Sequence, residues 1–129
     1  MADPLSQLAD VTALQLDRAM AELSDTAAKV ATLEHQIAVL RTRLNQLPGL
    51  DAETGQNPAL SSGHFDQWQT QARTRLGQLN TLLAQARAQH EERMVDTRLA
   101  FGRNTALNAI RAKKAADERD MQRRRMEHQ

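Results

Sequence analysis

Residues 23–47 read LSDTAAKVATLEHQIAVLRTRLNQL, and within them Leu23, Val30, Leu33, Ile37, Leu40, Leu44 and Leu47 step by sevens, threes and fours. That spacing places all seven on one stripe of a helix, as in a coiled-coil seam. Carried backwards, the same frame falls on Thr26, Ala19, Leu16, Thr12, Ala9 and Leu5, a softer seam of mostly small residues. Asp3 before Pro4 matches an N-cap followed by proline at the first helical position. The spacing and the cap predict one helix over 3–47.

Leu47-Pro48-Gly49 reads as its stop, and Gly55, Pro58, Ser61, Ser62 and Gly63 extend an irregular connection over 48–63. A second helix is expected over 64–127, capped by Ser61, Ser62 or Gly63 and carrying Asp66 in its first turn. Phe65, Trp68, Ala72, Leu76, Leu79, Leu83, Ala86 and His90 continue the three-four step and complement the first seam. Beyond His90 the apolar residues Met94, Val95, Leu99, Phe101, Ala106, Leu107 and Ile110 fit no single heptad phase, so a stutter or a broadened face is expected there. Gly77 and Gly102 interrupt this helix, which suggests tight contact or local bending.

The expected fold class is therefore all-α, an elongated antiparallel two-helix coiled-coil hairpin with a longer second helix, forming a single domain over 1–129. At 1.5 Å per residue the helices would measure about 66 and 96 Å. If Leu47 faces the start of the second helix, Leu5 falls near Ala106 and the last residues overhang. One narrow stripe per helix is little core for so long a chain, so a partner or self-association is expected.

Composition agrees. Of 129 residues 40% are hydrophobic and 26% charged, with net charge +1; the aromatic residues are Phe65, Trp68 and Phe101. So few large planar side chains argue against a small-molecule pocket. The chain has no cysteine, which removes disulfides and thiolate metal sites and fits a cytoplasmic setting. No basic leader followed by an apolar run, and no membrane-spanning stretch, is visible. His35, His64, His90 and His128 are scattered without metal-ligand spacing, and no phosphate loop or nucleophile motif occurs. No catalytic residue, cofactor or metal is expected.

Two places invite a partner. Phe65 and Trp68 read either as a plug closing the hairpin end or as anchors for another protein. Arg111, Lys113, Lys114, Arg119, Arg123, Arg124 and Arg125, interleaved with Asp117, Glu118, Asp120 and Glu127, read as a solvated face, a protein-docking tip or, least well because of the acids, a nucleic-acid stripe.

The heptad helix, the mid-chain breaker and a long second helix carrying Ala100-Phe101-Gly102-Arg103-Asn104-Thr105-Ala106-Leu107-Asn108-Ala109-Ile110-Arg111, then Asp117-Glu118-Arg119-Asp120 and Arg123 to Arg125, resemble the flagellar export stalk family, FliJ, and its type III secretion relatives. The resemblance implies a non-catalytic, cytoplasmic stalk at the flagellar base that binds and promotes the export ATPase ring, contacts the export gate protein and escorts export chaperones. It implies a ring-entering tip around Leu5, Ala106, Ile110, Arg111, Arg119, Arg123, Arg124 and Arg125, and a gate-facing surface including Ala72, Leu76, Leu79 and Leu83. No nucleic acid and no direct membrane insertion are expected. The alternative reading is a self-associating structural adaptor, two hairpins joined as a four-helix bundle.

Overall fold

The computed structural model describes residues 3–54 and 63–128. It is all-α, with α1 over Pro4–Thr54 and the longer α2 over His64–Glu127. The Leu5 N–H donates to Asp3 Oδ1 at 3.2 Å, so Asp3 caps α1. Gly63, at φ +79°, turns the chain into α2, and its carbonyl accepts the Gln67 N–H at 3.2 Å. Arg124 and Arg125 sit in the last turn of α2, where cations suit the helix dipole. Ser61 and Ser62, the other cap candidates, lie outside the described residues.

The expected stop at Leu47-Pro48-Gly49 is corrected: the helical backbone continues to Thr54. Proline removes one N–H from the ladder and glycine costs about 1 kcal/mol against alanine, but Leu50, Ala52 and Glu53 beyond them favour helix. The connection expected over 48–63 is accordingly shorter at its start.

Two compact units form along the chain, residues 25–91 and residues 1–24 with 92–129. In the first, Leu33, Ile37, Leu79, Leu83 and Ala86 form a buried cluster against which Val30, Leu40 and Leu76 pack. Thr26 Oγ1 lies 2.9 Å from His90 Nδ1, and Arg87 pairs with Glu34 at 3.1 Å. In the second, Asp3 pairs with Lys114, Thr12 Oγ1 lies 3.2 Å from Asn104 Oδ1, and Thr97 Oγ1 lies 3.3 Å from the Ala19 carbonyl. Within each unit the partner's number falls as the α1 number rises, so the helices pair antiparallel.

This register corrects the juxtaposition of Leu5 with Ala106. Leu5 instead borders a groove with Ile110, Lys113 and Lys114, because the interlocked seam residues, rather than the connection, fix the pairing.

Of the stutter or broadened face expected beyond His90, the stutter is absent among the described residues. The least exposed residues of α2 after His90 include Arg93, Thr97, Ala100, Asn104 and Leu107, which prolong the three-four step of Ala72, Leu76, Leu79, Leu83 and Ala86. The seam keeps its phase and changes its chemistry. Polar and small residues occupy it, while Val95, Leu99 and Phe101 are exposed.

Neither glycine within α2 is explained by close contact. A Cβ at Gly77 or at Gly102 would meet nothing within 4 Å. Gly77→Ala and Gly102→Ala are each expected to stabilise the protein by about 1 kcal/mol through helix propensity alone. Chemical denaturation followed by circular dichroism checks this, and a loss of stability at either site would reveal a constraint on that helix face.

Candidate functional site

The unit formed by residues 1–24 with 92–129 has a seam that cannot bury much apolar surface. Ala9, Thr12, Ala100 and Leu107 are its buried members, and Leu16, Ala19, Thr97 and Asn104 are half-buried. The hydroxyls among them are satisfied: the Thr12 hydroxyl lies 3.0 Å from the Ala9 carbonyl and 3.2 Å from Asn104 Oδ1, and the Thr97 hydroxyl lies 2.7 Å from the Arg93 carbonyl. Arg93 bridges Glu22 at 3.7 Å and Asp96 at 3.3 Å. Such pairs are exposed enough that each is worth well under about 1 kcal/mol.

Large apolar side chains therefore remain outside. Leu8, Val11 and Leu14 on α1 and Val95, Leu99 and Ile110 on α2 are all about half exposed or more. Where α1 begins, α2 continues from Lys114 to Glu127, roughly 20 Å further. Every residue described beyond Ala116 is exposed, Met121 at 54% and Met126 at 76% among them. The groove at this end joins Leu5 of α1 to Ile110, Lys113, Asp117 and Met121 of α2.

The sequence-based tip residues fall here. Leu5 is half-buried in the groove; Ala106, Ile110, Arg111, Arg119, Arg123, Arg124 and Arg125 are exposed on α2. Arg123 pairs with Asp120 at 3.4 Å within its own helix. Residues 111–127 carry seven bases and four acids. Sequence reasoning missed Met121 and Met126, whose signal was an apolar side chain recurring five residues apart inside a charged run.

The other candidates lie in the unit of residues 25–91. Phe65 and Trp68 are half-buried, their rings stacked with centroids 6.3 Å apart. Ala72, Leu79 and Leu83 are buried and Leu76 packs against their cluster. The side chains of Ala72, Leu76, Leu79 and Leu83, expected on a gate-facing surface, are thus packed in the seam with α1.

Among the described residues no group of three or more His, Cys, Asp or Glu side chains could hold a metal, and no helix is long and apolar enough to cross a membrane. The grooves are lined by seam flanks, for example His35, Val39, Leu40 and Arg75, an arrangement suited to contact between helices. No family model, no curated protein and no solved structure matches the chain.

Proposed function

We propose that this chain is a non-catalytic, stalk-like component of the flagellar or type III protein export apparatus, working at the cytoplasmic face of the flagellar base. Its basic α2 end docks on the export ATPase ring and promotes its activity; contacts with the export gate and with export chaperones belong to the same reading. One observation carries it: α2 runs past the start of α1 and exposes Met121 and Met126 among seven bases. A helix end with unpaired apolar side chains set in positive charge is a docking tip, with charge steering the encounter and the methionines supplying adaptable contact.

The test compares ATP hydrolysis by the cognate export ATPase with the full-length chain, and with a full-length variant carrying Arg119→Glu, Arg123→Glu, Arg124→Glu and Arg125→Glu. Stimulation by the unmodified chain and its loss in the variant, with helicity unchanged, is expected. Absence of both stimulation and association would overturn the reading.

A further inference from the structure

The two units are held by different means. In residues 25–91 the buried cluster contains four large aliphatic side chains, Leu33, Ile37, Leu79 and Leu83, and three more apolar side chains pack on it. In the other unit the buried residues are Ala9, Thr12, Ala100 and Leu107, of which only Leu107 is a large aliphatic. Two ion pairs tie α1 to α2 there, Asp3 with Lys114 at 3.8 Å and Glu22 with Arg93 at 3.7 Å, between side chains that are 41–50% exposed. Pairs so exposed hold little. Local stability follows buried apolar contact, so residues 4–23 of α1 are bound to α2 far more weakly than the helices of residues 25–91 are bound to each other.

α1 also carries a place at which to yield. Ser24, Asp25 and Thr26 are consecutive, and these residue types are poor in helix interiors because their side chains compete for backbone groups. The same types are favoured at helix N-caps. A helix shortened to begin there finds its cap in Ser24 or Asp25, both of which are exposed and free to turn. Residues 4–23 can thus leave α2 without leaving the remainder of α1 an uncapped end.

We propose that residues 4–23 are a releasable strap over residues 93–114 of α2, opening at Ser24 and Asp25 while residues 25–91 stay paired. Closed, the strap covers Thr97, Ala100, Asn104 and Leu107, which face Ala9, Thr12 and Ala19 across the seam. Open, it bares them, and the part of α2 that is free of α1 grows from the turns after Lys114 to everything after Arg93. The strap therefore sets how much of α2 is available for contact. This goes beyond the export reading and does not rest on it, because its readout is the protein alone.

The chain has no cysteine, so single Ala9→Cys, Ala100→Cys and Ala86→Cys variants of the full-length protein report opening by their rate of reaction with a thiol reagent, each divided by its rate in urea. All three alanines are buried, at 5%, 8% and 1% exposure, and circular dichroism verifies that helicity is retained. Ala9→Cys and Ala100→Cys should react at similar rates, at least about 100-fold faster than Ala86→Cys. Ile37→Val, a loss within the cluster of residues 25–91, should speed Ala86→Cys by roughly two- to tenfold and leave Ala9→Cys unmoved. Ser24→Ala with Asp25→Ala removes the new cap and favours the unbroken helix, so it should slow Ala9→Cys at least about threefold. Equal protection at Ala9, Ala100 and Ala86, an Ala9→Cys rate that follows Ile37→Val, or one unslowed by the Ser24 and Asp25 substitutions would overturn the strap.

Discussion

Leu79→Ala should lower the unfolding free energy by about 2–5 kcal/mol, the range for deleting a buried leucine side chain from a packed core. Leu79 is 3% exposed and belongs to the cluster of Leu33, Ile37, Leu83 and Ala86. Two helices offer no third layer to collapse into the space, so the value should lie in the upper half of that range. Leu82→Ala provides the contrast: three positions along the same helix, its side chain is 41% exposed, and its loss should cost less than about 1 kcal/mol. Urea titrations of both variants by circular dichroism give the comparison. Equal costs would mean that the seam is not what holds residues 25–91 together.

The same contrast shows why part of the fold is legible in the sequence. Between Val30 and Leu40, and between Leu76 and Ala86, seam positions are mostly large aliphatics, so counting apolar residues and following the packing give the same stripe. From Arg93 to Asn104 they part. The seam positions there are Arg93, Thr97, Ala100 and Asn104, while the conspicuous apolar residues Val95, Leu99 and Phe101 point away. A hydrophobicity pattern follows the wrong residues in such a segment, and only the extrapolated three-four spacing keeps the phase. The end of α1 escapes the local pattern for a related reason: Pro48 and Gly49 are local stop signals, but the residues after them favour helix. Register was not legible because it depends on which side chains interlock across some 50–100 residues of chain. For the candidate site, the arginines are visible as a basic stretch.

Thr26→Leu together with His90→Leu should raise stability by up to about 2.5 kcal/mol while loosening the choice of register. Both positions are half-buried seam sites, and the hydroxyl of one lies 2.9 Å from Nδ1 of the other. Losing that bond costs about 0.5–1.5 kcal/mol. Two partly buried leucines return about 1.5–3 kcal/mol each at full burial and proportionately less here. The apolar layer wins on stability, so the polar pair is expected to serve specificity: the Thr26–His90 contact forms only in the native register, whereas leucine layers are interchangeable under a seven-residue slip. Thermal melting measures the first effect. For the second, cysteines at Glu34 and Arg87, whose side chains pair at 3.1 Å across the seam flank, report the native alignment by disulfide formation. Faster melting of the double variant, or unchanged disulfide yield with higher stability, would assign the pair a plain stabilising or neutral role. A more stable protein with a lower disulfide yield would show that this polar layer trades stability for a single pairing of α1 with α2.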